Sequence, residues 1–293
     1  MKILNLILLI LTRPINLNAY IKIRSFLQLN YIKTKDDRFS TFLLSILKSN
    51  KSTEYYLRKV AADRIRVRDY VKKNCNEVLL PPLYWRGDFL QKSIFEKLPQ
   101  KFYIKQRSSS GKTKYVNKRI QKITEINFWI WLNSLIDYGW LTRQWFYTRT
   151  NEFIVEGLIS QKQLVDYKFF CKDGTPFLLQ VDIDRKTNHK RNLYFLDKDG
   201  KTSTLIGVRL HHFDNDLSFT LPKTQDAFKI ASKLSKEFSF VRVDLYIVNE
   251  KVFFGELTNL PGSGFEKFNP TIYDERIFRF MNQKTFPKKS FKE

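Results

Sequence analysis

Arg242, Asp244 and Glu256 are the residues of this 293-residue chain whose types and spacing most directly suggest chemistry. Arg242 and Asp244 lie in the run Phe240 to Val248, where Val241, Val243, Leu245 and Ile247 alternate with Arg242, Asp244 and Tyr246. Alternation with period 2 predicts a strand with one apolar face. Lys251 to Thr258 is a second β-branched and aromatic run, and Asn249-Glu250-Lys251 between the two predicts an antiparallel hairpin. A loop with an odd number of residues is expected, because it pairs Asp244 with Glu256 and Arg242 with Thr258; an even loop sends the two carboxylates to opposite faces. Facing carboxylates beside an arginine are costly unless a cation sits between them. Such hard oxygen ligands suit Mg²⁺, completed by water and substrate phosphates, and the arginine then faces phosphate oxygens. The same alternation also fits a half-buried hairpin whose Arg/Asp/Tyr side faces water.

Two further constellations precede the hairpin. Lys101 to Lys105 reads as a strand ending in a lysine, followed by Gln106-Arg107-Ser108-Ser109-Ser110-Gly111-Lys112 and a second strand at Tyr115-Val116. A small-residue loop rich in N–H and hydroxyl donors folds over phosphates as a nest, with Lys105 reaching an α- or β-phosphate; an ordinary solvated turn has the same composition. Farther on, Phe177 to Ile183 reads as a strand paired with Tyr167 to Cys171. Asp182 and Asp184 share one face, and Arg185, Asn188, His189 and Arg191 follow.

The Arg-x-Asp and Glu256-x-Thr258 strands together resemble the metal-binding end of the ATP-grasp fold. More narrowly, Arg66 to Pro270 resembles the TupA-like ATP-grasp family, found with bacterial cell-surface polysaccharide and teichuronopeptide synthesis. The resemblance is carried in order by Arg66-Val67-Arg68-Asp69-Tyr70-Val71, Asp166 to Cys171, Gln180 to Arg191, Phe240 to Tyr246, and Phe254 to Thr258 with Pro261-Gly262-Ser263-Gly264-Phe265. It implies an α+β fold in which two α+β lobes clasp a nucleotide, with ATP and Mg²⁺ as cofactors. Asp244, Glu256 and Thr258 are then the metal ligands, with threonine where asparagine is usual. Lys105, Lys168 and Arg242 carry the catalytic positive charge, and Lys105, Ser109, Ser110, Gly111, Glu156 and Lys168 hold the nucleotide. Glu156, on the strand Phe153 to Ile159 that joins the lobes, lies near adenine or ribose. Asp182, Asp184, Arg185, Asn188, His189 and Arg191 line the acceptor end of the cleft. Relatives tend to carry a Cys-Asn-His-Gly-Ser-Gly-Gly-like run after the lysine; here the loop has one glycine, which restricts backbone approach and lid motion.

Composition bounds what surrounds these residues. Lysine and arginine number 52 against 29 acids, a net charge of +23, which favours anionic partners. Cys75 and Cys171 lack metal-site or disulfide spacing and read as reduced, buried thiols. Ile3 to Leu11 is apolar apart from Asn5, too short to span a bilayer, and ends before Pro14; it reads as a core or interfacial helix, with basic neighbours suited to anionic lipid.

The positioning elements follow from periodicity. Asn18 to Phe39, Thr41 to Leu57, Val60 to Lys73, Thr124 to Asp137 and Thr224 to Glu237 predict helices. The aromatic run Phe128-Trp129-Ile130-Trp131-Leu132 is expected to pack in a core. The expected organisation is an N-terminal helical region at 1–59, an ATP-grasp catalytic domain at 60–275 with its lobe boundary near 156, and a basic tail at 276–293.

The function so implied is an ATP-dependent, carbon–nitrogen bond-forming ligase in cell-surface polysaccharide biosynthesis. A carboxylate takes the γ-phosphoryl group of Mg·ATP, and an amine then displaces phosphate to give an amide. Its partners are ATP, an anionic glycan or uronic-acid acceptor and an amine such as an amino acid, not nucleic acid. Its place is the cytoplasm, with peripheral contact at the inner face of the bacterial plasma membrane. Two alternatives share the residues: a kinase acting on a sugar hydroxyl, and a basic glycan- or nucleic-acid-binding protein with a degenerate ATP site.

Overall fold

Six runs of the chain, buried on both faces over much of their length, build the larger of the two main antiparallel sheets, and that sheet carries most of the chemistry-bearing residues. The computed structural model describes residues 9–29, 37–49, 53–160, 164–184, 188–204, 209–210, 221 and 224–282. Helices α1 (Leu17–Leu29), α2 (Phe39–Lys48), α3 (Tyr55–Ala61) and α4 (Arg66–Asn74) come first. A smaller sheet follows, formed by β1 (Leu83–Gly87), β2 (Lys101–Gln106), β3 (Thr113–Asn117) and β4 (Phe153–Gly157) in the order β1-β4-β2-β3. Helices α5 (Lys92–Lys97), α6 (Ile123–Ser134) and α7 (Tyr138–Thr142) lie within its connections.

The larger sheet has the order β11-β10-β5-β6-β7-β8. Its strands are β5 (Asp166–Lys172), β6 (Thr175–Ile183), β7 (Lys190–Leu196), β8 (Thr202–Thr204), β10 (Phe240–Val248) and β11 (Lys251–Thr258). A short pair, β9 (Arg209–Leu210) with β12 (Phe268–Asn269), helix α8 (Gln225–Ser235) and helix α9 (Ile272–Asn282) complete the described elements.

Both faces of the larger sheet are covered. Phe169, Cys171, Leu179, Val181, Val241 and Val243 point to one side, against Ala227, Ile230 and Leu234 of α8 and Val67 and Val71 of α4. Phe170, Leu178, Leu193 and Phe240 point to the other, against Phe39, Leu43 and Leu47 of α2 and Ile277, Phe280 and Met281 of α9. On this second face the apolar residues end partway along each strand. The next positions of the same parity are Lys168 and Asp166 on β5, Gln180 and Asp182 on β6, and Arg242 and Asp244 on β10. One sheet face therefore changes from core to charged site along its length.

Three sequence expectations change. The helix expected over Val60 to Lys73 is two helices, because the Asp63 carboxylate accepts from the Ile65 and Arg66 N–H groups at 2.9 and 3.2 Å and starts α4 anew. Helix α6 buries Ile126 and Ile130 against the smaller sheet, whereas Phe128, Trp131 and Leu132 stand exposed rather than in a core. Helices α1, α2 and α9 share a core with the larger sheet, and α9 runs through the boundary expected at 275/276.

Asp274 of α9 ties that core to α2: its carboxylate accepts from the Ser40 N–H at 2.7 Å and from the Ser40 hydroxyl. Replacement Asp274→Ala leaves both donors at a buried helix start unpaired, and is expected to lower unfolding free energy by about 2 kcal/mol in urea titration.

Candidate functional site

The hairpin of β10 and β11 reaches its expected pairing by an unexpected route. The turn is Asn249-Glu250, two residues with φ of 49° and 63°, so the loop is even rather than odd. Positive φ at both positions matches the twist of the strands, which favours this short turn. A bulge between Asp244 and Leu245 then inserts Gly255 and shifts the register by one residue. Asp244 faces Glu256 and Arg242 faces Thr258 as a result. Gly255 passes so close to its partner that a Cβ there would lie 2.8 Å from the Asp244 carbonyl oxygen.

Pairing across the sheet then assembles two charged rows. One runs Glu256, Asp244, Lys168, Gln180; the other runs Tyr246, Asp166, Asp182, Arg191. Arg242 donates from Nε and Nη2 to the two oxygens of Asp244, each at 2.7 Å, and from Nη2 to Thr258 Oγ1 at 3.2 Å. Thr258 in turn donates to Glu256 Oε1 at 3.1 Å. Burial pushes the Asp244 carboxyl up to about 6; Arg242 and Lys168 pull against this and Glu256 adds to it. For the half-exposed Glu256, burial acts in the same direction but Arg64, Arg242, Lys168 and Lys105 outweigh it, so its pKa falls below the ordinary value.

The neighbouring acid behaves oppositely. Asp182 is fully buried, yet Lys168 and Arg191 overcome the cost of burial and hold its carboxyl far below the usual range. Lys168 Nζ and Arg191 Nε bond its two oxygens, Gln180 Nε2 lies at 3.2 Å from each, and His189 Nε2 lies at 3.5 Å. Arg191 extends to Glu266 at 2.9 Å. Of the expected acceptor residues, Asp182, His189 and Arg191 come together; Asp184 and Asn188 are exposed, and Arg185 lies outside the described residues.

The smaller sheet presents its own charged face. Alternation puts Phe102, Ile104, Phe153 and Val155 under α6 and leaves Lys105 and Glu156 on the opposite side. Lys105 Nζ bonds Glu156 at 2.6 Å, and Arg68 holds the other oxygen at 3.0 Å. Lys105, with Arg64, Arg242 and Lys168, also lowers the pKa of Glu256. In the loop after β2, Ser108 accepts from the Thr148 N–H at 2.9 Å, and the buried Ser109 hydroxyl has no hydrogen-bond partner among the described residues. Ser110 and Gly111 are exposed, with Gly111 at φ 73°. Arg107 is committed to Asp63 and Glu152, and Lys112 to the carbonyls of Asn133 and Ile136.

This donor set fits Mg²⁺ with a nucleotide. Two carboxylates and a hydroxyl converge from adjacent strands, burial with a further push from Glu256 raises the pKa of one of the acids, and a buried serine hydroxyl in the loop after β2 has no partner among the described residues. Among the described residues no group of three or more His, Cys, Asp or Glu forms a closed metal cage, as expected where substrate oxygens complete the shell.

Sequence reasoning gave no role to Arg64, Asp166, Gln180 or Glu266. Asp166 and Gln180 were detectable from strand parity with Lys168 and Asp182. Arg64 and Glu266 come from connections between elements, which carry no periodic signal.

The sequence model of the TupA-like ATPgrasp family matches residues 43–279. No curated protein matches the chain in sequence. Similar solved structures include a D-alanine–D-alanine ligase from Bacillus anthracis complexed with ATP, at 14% identity and a TM-score of 0.40, covering 69% of this chain and 55% of that one. The VanG D-Ala:D-Ser ligase from Enterococcus faecalis is similar at 19% identity and 0.38, over 69% and 53%. A D-alanine–D-alanine ligase from Coxiella burnetii is similar at 14% and 0.43, over 76% and 56%. The chain thus spans little more than half the length of these structures. The family match covers well over half of the chain, from α2 to α9, and contains every charged residue of both sheet faces: the chain belongs to the TupA-like ATPgrasp family and has its α+β ATP-grasp fold.

Proposed function

We propose that this chain is an ATP-dependent carboxylate–amine ligase that forms an amide through an acyl phosphate, in the synthesis of a bacterial cell-surface polysaccharide. The observation that carries the reading is the register of Glu256, Asp244 and Lys168 in one row, beside Arg242 and within electrostatic reach of Lys105. Mg²⁺ held by Asp244, Glu256 and Thr258 would neutralise the triphosphate. Lys105 and Glu156 bind at the nucleotide, with Ser109, Ser110 and Gly111 closing over its phosphates. Lys168 and Arg242 supply positive charge that stabilises the negative charge on the γ-phosphoryl oxygens during transfer to the acceptor carboxylate. Arg191 and His189, oriented by Asp182, define the acceptor end, and the net charge of +23 suits an anionic glycan. An enzyme with such an acceptor works at the inner face of the plasma membrane, touching anionic lipid.

A second reading, a glycan-binding protein without turnover, is favoured by one observation: Arg107 and Lys112 of the single-glycine loop are both bonded away from any phosphate. Thermal stability at high salt in Mg·ATP against ATP with EDTA separates the two, because only a working nucleotide site gives metal-dependent stabilisation. Hydroxylamine trapping then separates ligase from kinase, since a kinase yields no hydroxamate.

Asp244→Asn is expected to reduce ATP turnover by at least about a hundredfold, as for loss of a group that stabilises developing charge, while circular dichroism remains that of the wild type. Wild-type turnover in this variant would remove the hairpin from the mechanism. The pH dependence follows from the raised pKa: as pH falls through about 6, Asp244 gains a proton and ceases to be a metal ligand. Stabilisation by Mg·ATP, read as a thermal shift, should therefore decline below that pH in the wild type and show no such step in Asp244→Asn.

A further inference from the structure

Helix α1 is apolar on its outer side as well as its inner one. Tyr20, Ile21, Arg24 and Ser25 face the core, whereas Lys22, Ile23, Phe26 and Leu27 face water. Ile23, Phe26 and Leu27 are 40, 59 and 54% exposed, while Arg24 and Ser25 are 9 and 0% exposed. A surface helix of a globular protein presents charged and polar residues on that outer side. The inward residues are held specifically: Arg24 Nη1 donates to the Tyr20 hydroxyl at 2.8 Å, and its guanidinium lies 4.6 Å over the Phe265 ring.

The helical turn before α1 repeats the pattern, with Leu9 buried and Ile10 and Leu11 at 52 and 70% exposure. Arg143 fastens this segment to α1. Its Nη2 donates to the carbonyls of Thr12, Arg13 and Ile15, and its guanidinium lies 4.7 Å over the Tyr20 ring. Arg13 in turn lies 4.7 Å over the ring of Trp140, itself half exposed. Charge in this region has one sign: residues 1–35 contain Lys2, Arg13, Lys22, Arg24, Lys33 and Lys35, and no aspartate or glutamate.

We infer that the outer face of α1, with Ile10, Leu11 and Trp140 beside it, seats on the headgroup layer of an anionic lipid bilayer. Exposed apolar side chains interleaved with lysine and arginine, and a tryptophan under a guanidinium, are the composition of an in-plane interfacial helix. No described helix is long and apolar enough to cross a membrane. Charge complementarity selects lipid over a second copy, because residues 1–35 carry bases and no acid, and chains of net charge +23 repel each other. This inference deepens the reading above by naming the surface that meets the membrane, yet lipid binding needs no ATP site.

The test is co-sedimentation of the full chain with vesicles of phosphatidylcholine alone or mixed with phosphatidylglycerol, for the wild type and for Phe26→Glu combined with Leu27→Glu. Both side chains point outward, so the variant keeps its core, and the Mg·ATP thermal shift measured in parallel reports the nucleotide site. The wild type should pellet with anionic vesicles and much less with neutral ones, and the variant should lose at least about tenfold in binding, as charged groups replace inserted apolar ones. A wild type left in the supernatant overturns the inference. So does a variant that pellets as well as the wild type, or a wild type that runs as a dimer which the variant breaks. Loss of the Mg·ATP shift with vesicle binding intact sinks the ligase reading alone.

Discussion

The structure depends on the pairing of charges buried on one face of the larger sheet. Arg242, Asp244, Lys168, Asp166, Asp182 and Arg191 are all buried, and ions removed from water destabilise a fold unless opposite charges and hydrogen bonds compensate. Register supplies part of the compensation, since it sets Asp244 beside Lys168 and Asp182 beside Arg191. A slip of a single residue in β10 would turn Asp244 into the core under α8 and bring a valine or leucine to the site. The bulge at Gly255 protects against that outcome after a two-residue turn.

Within this face, two aspartates of the same chemistry acquire opposite characters. Asp182 lies between Lys168 and Arg191 and is bound firmly in its ionised form, which makes it an anchor that orients both bases. Asp244 is buried beside Glu256, and burial with that acid's charge raises its pKa against the pull of Arg242 and Lys168. A single electrostatic rule, burial set against the sign of the neighbouring charges, thus separates two aspartates of one sheet face.

The smaller sheet has a simpler device. Lys105 is held by Glu156, which is held by Arg68, and behind them an apolar layer beneath α6 fixes the strands. In the loop after β2, Ser110 and Gly111 are exposed, and Arg107 and Lys112 pin its ends.

Much of this was legible in the chain itself. Period-2 alternation identified the hairpin and put Arg242 with Asp244, and Asp182 with Asp184, on shared faces, because strand parity is a local property set by the geometry of consecutive residues; Lys105 stood out by its place at a strand end, and Lys168 only through the family resemblance. Local patterns could not count the turn correctly, since the bulge depends on how closely Gly255 passes the Asp244 carbonyl. They could not divide the helix at Asp63, whose carboxylate also serves Arg107 across the fold. Nor could they say which side of α1 or α6 faces inward: their sequences offer apolar residues on nearly every side, and the choice falls to Tyr20, Arg143 and the sheet against which each packs. Sequence determined which side chains each strand presents. Only the tertiary structure decided which charges meet, because that depends on register and packing between segments far apart in the chain.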